Sequence, residues 1–284
     1  MKAPHDDIVR TNGADLCVDS FGDPGDPAIL LIMGSGASMD WWEDEFCERL
    51  ASGSRFVIRY DHRDTGRSVS YEPGNPGYSG GELAADAVGV LDALEIDRAH
   101  VVGMSMGGAL AQVVALDHPD RVQSLTLIAT SPAGVADDLP GMSEENMARF
   151  KADTPDWSDR EAVVGYLAHL ARASASPSPP FDEEGFRKLA GRVFDRTANM
   201  ESSMRNHDLL EGSDPWRERL PGLRVPTLVV HGTDDPVLPY EHGVALAREI
   251  LGAELLTLEH TGHELPRRTW DAVVPAIVHH TAGA

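Results

Sequence analysis

The run Gly103-Met104-Ser105-Met106-Gly107 puts a serine hydroxyl where it could act as a nucleophile. Residues 98–102 before it read as a short buried strand, and residues 108–116 after it read as a helix. A strand that becomes a helix over one residue forces that residue into strained backbone angles. The flanking glycines let the chain pass through so tight a turn. The helix N-terminus beneath the serine favours negative charge developing beside it. A serine hydroxyl is still a weak nucleophile at neutral pH. The pattern therefore carries chemistry only if the chain also supplies a base, and an acid to orient that base.

In an open α/β sheet such partners sit on loops at the carboxyl ends of strands. Two loops downstream qualify. Gly232-Thr233-Asp234-Asp235-Pro236 follows an apolar strand pattern at 227–231. Asp235 is the expected acid, because Pro236 stiffens the backbone beside it; Asp234 competes, and turn formation is the alternative role for either. Glu259-His260-Thr261-Gly262-His263-Glu264-Leu265-Pro266 follows a strand pattern at 254–258. His279 and His280 fall on a terminal helix, where an exposed face is expected. His242 is expected to point away from the crevice, and His260 lies hard against its strand end. His263, behind a flexible Gly262, is the expected base. The order Ser105, Asp235, His263 is the one that this strand–turn–helix geometry requires. His260 and His263 lack a third ligand nearby, so no metal site is expected.

A tetrahedral intermediate also needs N–H donors aimed at its oxyanion. Met106, directly after the serine, is expected to give one. The small loop Met33-Gly34-Ser35-Gly36 is expected to give the other, from Ser35 first and Gly34 next.

These side chains need a scaffold, and the hydrophobic pattern describes one. Alternation across Asn12-Gly13 predicts an opening hairpin over residues 8–19. Residues 28–33 form a continuous apolar run, as in a central parallel strand covered on both faces. Residues 55–60, 122–129, 227–231 and 254–258 read as further strands. Helical patterns alternate with them at 41–50, 82–94, 241–251 and 269–280. This is the rhythm of a parallel sheet with helices on both faces. It breaks between residues 131 and 226, where only helical patterns appear, around Met147, at 163–170 and at 186–194, with a Ser/Pro-rich interruption at 174–180. The expected division is a core of residues 1–131 and 226–284 with a helical cap of residues 132–225 over the sheet's carboxyl edge.

At 284 residues and 42% hydrophobic content the chain can bury a sizeable core. A net charge of -22 argues against nucleic acid or an anionic membrane as partner. No apolar run is long enough to cross a bilayer, and the N-terminus lacks a signal-peptide pattern. Cys17 and Cys47 are too few for a disulfide framework, and Cys47 falls on the apolar side of a helical pattern, which predicts a buried thiol. A cytoplasmic protein, monomer or homodimer, without a cofactor is expected.

With these residues in view, the chain is similar to the α/β-hydrolase-fold serine esterases over nearly its whole length outside the insertion. The Gly34 loop, Asp61-His62-Arg63-Asp64-Thr65-Gly66-Arg67-Ser68, the Ser105 turn, Gly232-x-x-Asp235-Pro236 and Gly262-His263 carry the likeness. It implies a mostly parallel eight-stranded sheet flanked by helices, with a helical cap. Leu31-Ile32-Met33-Gly34, the 61–68 loop, Glu82-Leu83-Ala84-Ala85-Asp86-Ala87-Val88, Asp97-Arg98-Ala99-His100-Val101-Val102-Gly103 and His263-x-Leu265-Pro266 closely resemble the aclacinomycin methylesterases of anthracycline biosynthesis. Those enzymes cleave a methyl ester from a polyketide-derived aglycone. Met33 stands where many members of the wider family carry histidine, and the insertion does not obviously match the methylesterase cap.

The expected activity is hydrolysis of an uncharged ester of a moderately large, mostly apolar small molecule through an acyl-enzyme on Ser105. Met33, Trp41, Trp42, Met142, Met147 and Tyr166 are expected to line its pocket, methionines being adaptable to irregular apolar ligands. Perhydrolase, lactonase and carbon–carbon bond hydrolase activities share the same three residues and stand as alternatives. A non-catalytic small-ligand receptor is the alternative from another class. Arg63 and Arg67 are expected to brace the fold rather than bind substrate.

Overall fold

The computed structural model describes residues 6–132, 137–210 and 216–283. The chain opens with a hairpin of β1 (Asp7–Thr11) and β2 (Ala14–Phe21), turned by Asn12 and Gly13 at φ 47° and 74°. Positive φ at both central residues matches the twist of the flanking strands, which is why this dipeptide marks a hairpin. The strands β3 (Ala28–Ile32), β4 (Phe56–Tyr60), β5 (Ala99–Met104), β6 (Val122–Ile128), β7 (Thr227–Gly232) and β8 (Glu254–Leu258) follow. They form one eight-stranded sheet in the order β1-β2-β4-β3-β5-β6-β7-β8. β1 and β2 are antiparallel additions, and β3 through β8 run parallel.

Side chains alternate between two cores, as the two-residue repeat of a strand requires. Leu30 and Ile32 face one layer, formed by α2 (Gly80–Ala93), α3 (Met106–Asp117) and α8 (Glu241–Glu249). Ile29 and Leu31 face the other, formed by α1 (Asp44–Ala51) and α9 (Trp270–His280). The sequence pattern started the first helix too early. Residues Met39–Trp41 make a single 3₁₀ turn, and Trp42, at φ -82° and ψ 83°, breaks away to stack its ring on Phe46 at 5.6 Å.

β4 lies on one side of β3 and β5 on the other. The connections after β3 and β5 therefore diverge, and a crevice opens outside their carboxyl ends. Between β6 and β7 run α4 (Glu144–Arg149), α5 (Arg160–Ser174), α6 (Glu183–Arg196) and α7 (Met200–Arg205), then a 3₁₀ turn at His207–Leu209. Val163, Val164, Leu167, Ala190, Val193 and Met200 give this insertion a small core of its own. Leu220 and Leu223, near its end, already pack with the sheet.

The 61–68 loop braces the layers. Arg63 makes a two-pronged pair with Asp86 at 2.7 and 2.8 Å, both side chains almost wholly buried, and Arg67 pairs with Asp6 at 2.6 Å. Asp61 accepts from the Met39 and Arg67 amides at 2.8 and 2.9 Å and pairs with Arg196 of α6 at 2.7 Å, tying the insertion to the loop.

Both cysteines are buried, and burial pushes each thiol up to about 12, with the nearby Asp61 carboxylate adding to the effect at Cys17. The thiolate is the reactive form. Ellman's reagent at pH 8 is therefore expected to label neither thiol in the folded protein and both in denaturant. A thiol that titrates within minutes under native conditions would contradict this packing.

Candidate active site

Ser105 lies between β5 and α3 at φ 54° and ψ -122°, a region that L-residues avoid. Hydrogen bonds from both sides hold it there. Its N–H donates to Ile128 O at 3.0 Å, and its carbonyl accepts from Gly108 N at 2.9 Å and Thr130 Oγ1 at 2.7 Å. The flanking glycines are required by contact rather than by φ. A Cβ on Gly103 would sit 2.2 Å from Gly107 O, and one on Gly107 would sit 2.2 Å from Ile32 O at the end of β3.

The loops after β7 and β8 bring Asp235 and His263 to this serine. His263 Nε2 stands 2.9 Å from Ser105 Oγ, and its Nδ1 stands 2.8 Å from Asp235 Oδ2. A carboxylate only accepts, so Nδ1–H donates to Asp235 and the Nε2 lone pair receives the serine O–H. Burial raises the Asp235 carboxyl, but the neighbouring His231 and the hydrogen bond from His263 outweigh it and hold the group well below the usual carboxylate range. Asp235 Oδ1 accepts from Val237 and Leu238 amides at 2.9 Å each, which fixes its rotation.

Asp234 does other work. It accepts from Ser176 Oγ of the insertion at 2.6 Å and from Thr233 Oγ1 at 3.0 Å. His263 N–H donates to Ser174 O at the end of α5 at 2.8 Å. Gly262 is not a flexible hinge. A Cβ there would meet Ser174 O at 2.2 Å, so glycine lets this loop lie directly on the insertion. His242 also departs from expectation. It is buried toward the crevice, with Nδ1 2.8 Å from Ser131 Oγ and Nε2 2.9 Å from Pro140 O. His279 is exposed as expected, whereas His280 is half-buried and reaches Leu125 O at 3.2 Å.

Met106 is the first residue of α3, where helical N–H groups have no partner within the helix. Gly34 is buried against Ser105, close enough that a Cβ would lie 3.2 Å from Ser105 Cβ. Ser35 follows it at the surface, with Oγ donating to Asp208 Oδ1 at 3.1 Å. Two histidines that the sequence does not mark as site residues flank this loop. His62 Nε2 donates to Met33 O at 2.9 Å, and His207 Nδ1 accepts from Gly36 N at 2.9 Å. Burial pushes His62 down to about 3, with nearby His207 adding to the effect, and burial also lowers His207. Both rings are therefore neutral at physiological pH. His231, at the end of β7, was missed as well; its Nε2 donates to Leu238 O at 2.8 Å and lies 3.5 Å from Asp235 Oδ2. Strand-end histidines read as core in a sequence, so only proximity to Asp235 reveals it.

Ser105, Met106, Ala109, Thr130, Ser131, Pro132 and Leu238 line a cavity of about 220 Å³ that opens to solvent. This is below the usual range of about 300–1,000 Å³ for ligand pockets. It has room for a reacting group and its neighbours, with the remainder of a larger ligand extending outward. None of the residues expected to line the pocket is among those lining this cavity. Met33 and Trp42 are almost wholly buried in the core under α1 and α9. Trp41 packs on Phe186 of α6 at 5.1 Å, and Tyr166 sits edge-on to Trp157 at 5.7 Å. Met142 is half-buried, and Met147 is 48% exposed. The described residues hold no cluster of metal-ligating side chains, and none of their helices is long and apolar enough to cross a membrane.

Residues 27–266 match the alpha/beta hydrolase fold family, and the chain belongs to it. Rhodomycin D methylesterase DauP of Streptomyces sp. strain C5 is 33% identical over 98% of each chain. Rhodomycin D methylesterase DnrP of Streptomyces peucetius is 31% identical over the same shares. Among solved structures, the enol-lactonase of Burkholderia xenovorans LB400 aligns with a TM-score of 0.76 and 25% identity, covering 97% of this chain and 100% of that one.

Proposed function

We propose that this protein is a serine carboxylesterase that cleaves the methyl ester of a polyketide-type small molecule, with residues 132–225 as a cap. The observation that carries the reading is the imidazole of His263 lying between Ser105 Oγ and Asp235 at hydrogen-bond distance from both. Likeness to two methylesterases over 98% of the chain supports the choice of ester and leaving group.

In this reading Ser105 Oγ attacks the ester carbonyl as its proton passes to His263 Nε2. The amides of Met106 and Ser35 receive the oxyanion, with Gly34 beside them. Collapse breaks the bond to the alkoxy oxygen, which takes the proton from Nε2 and leaves as methanol. Water then gives a proton to Nε2 and attacks the acyl-enzyme, releasing the acid and restoring the serine. Asp235 holds the Nδ1 proton throughout and stabilises the imidazolium. Two functional groups carry the proton traffic, and no cofactor is invoked.

A fluorophosphonate probe is expected to add one label, at Ser105, found by peptide mass spectrometry. Against a panel of esters of one aromatic polyketide acid, the methyl ester is expected to lead in kcat/KM, with about a ten-fold loss for each added methylene in the alcohol. Absence of both label and turnover would make the protein a ligand-binding member of the family. Turnover confined to an enol-lactone or a carbon–carbon substrate would move it to another reaction.

A further inference from the structure

The turn that carries Ser35 is held in place largely by the insertion rather than by the sheet. Gly36 takes φ +66° at its third position, and Ala37 N–H closes it by donating to Gly34 O at 3.3 Å. Gly36 N–H donates to His207 Nδ1 at 2.9 Å, and Gly36 O accepts from Ser203 Oγ at 2.9 Å. Both backbone polar groups of Gly36 are therefore bound by insertion side chains. His207 is itself fixed, because its Nε2–H donates to Arg63 O at 2.8 Å and its ring sits edge-on to His62 at 5.8 Å. That bond sets the tautomer and leaves Nδ1 as an acceptor. With Gly36 and Ala37 amides occupied, Ser35, and Gly34 before it, are the amides of this loop with no acceptor among the described residues.

We infer that His207, seconded by Ser203, is a positioning residue that aims the Ser35 N–H at the developing oxyanion. The insertion is then part of the reacting assembly and not only a roof over the substrate. This inference rests on the esterase reading above. An amide donor acts only at the position where charge develops, and losing one costs about 10²–10³-fold in kcat. A loosened turn costs transition-state binding while leaving ground-state binding alone.

The chemistry of His207 allows a sharp test. In His207→Asn the amide oxygen occupies the place of Nδ1 and still accepts from Gly36. In His207→Gln the terminal amide reaches the place of Nε2, keeping the tie to Arg63 O and losing the acceptor. His207→Gln is expected to lower kcat about 10²-fold with KM within about three-fold. It should weaken a boronic acid trap in proportion, without weakening the product acid. His207→Asn is expected to keep kcat within about ten-fold of the parent. Ser203→Ala, which removes only a hydroxyl, should show the same kcat-only pattern at about ten-fold, and it decides the matter should His207→Gln fail to fold. Equal losses in both His207 variants, a loss confined to KM, or an unchanged Ser203→Ala would overturn the inference. Fluorophosphonate labelling of Ser105 in the parent chain separates these results from failure of the esterase reading, since an unlabelled, inactive parent would sink that reading first.

Discussion

Ser105→Ala is expected to lower kcat for ester hydrolysis on the order of 10⁶-fold, about 8 kcal/mol of transition-state stabilisation. The variant keeps its Cβ, so the backbone at φ 54° and ψ -122° is no more strained than before. Only the bond to His263 Nε2 is lost, and a hydrogen bond of this kind contributes about 1 kcal/mol net. The melting temperature should therefore move by no more than about 4 °C. The residue of activity above the uncatalysed rate should come from the amides of Met106 and the Gly34–Ser35 loop, which remain in place. Stopped assays with radiolabelled methyl ester can follow so slow a reaction. A variant that retains even a tenth of parental turnover would remove Ser105 from the chemistry altogether.

The parts of this site that the sequence discloses are those whose local backbone demands particular residue types. Gly103 and Gly107 are needed because carbonyl oxygens pass 2.2 Å from where their Cβ atoms would be. The Ser105 turn is thus written in five residues. The same holds for Asn12-Gly13 and for β3, whose unbroken apolar run reflects burial on both faces. Asp235 and His263 were legible by order and by position after strands, since both conditions follow from the topology.

What the sequence hides is tertiary. Met33 and Trp42 are apolar residues beside a loop, and nothing local distinguishes a side chain that faces a cavity from one that fills the core. The six-residue α7 carries too few turns to show a period, so Ser203 and His207 could not be placed against Gly36. His242 lies in the first turn of α8, and the direction it faces is set only when that helix packs beside Ser131. The insertion's docking likewise uses long-range contacts, such as Ser176 to Asp234 and His263 to Ser174, that link residues 58 and 89 positions apart.

Asp235→Asn is expected to lower kcat about 10⁴-fold, and the structure says why the loss should be so large. Asp235 Oδ1 already accepts from the amides of Val237 and Leu238. The asparagine must keep its carbonyl oxygen there, which turns its NH₂ toward His263 Nδ1. Nδ1 then has to accept, the imidazole proton moves to Nε2, and Ser105 loses its base. Asp234→Asn retains one acceptor for Ser176 or Thr233 and should leave kcat within about ten-fold, since its contacts serve docking of the insertion. The stability readout carries a sign. The Asp235 pKa is depressed in the folded chain, so its ionised form adds stability above the unfolded carboxyl value of about 3.9. That contribution fades as pH falls through the folded value. The melting-temperature gap between parent and Asp235→Asn should accordingly narrow as the pH falls below about 4. Should Asp234→Asn be the slower enzyme, the two carboxylates exchange roles and the line through His263 has been drawn to the wrong one.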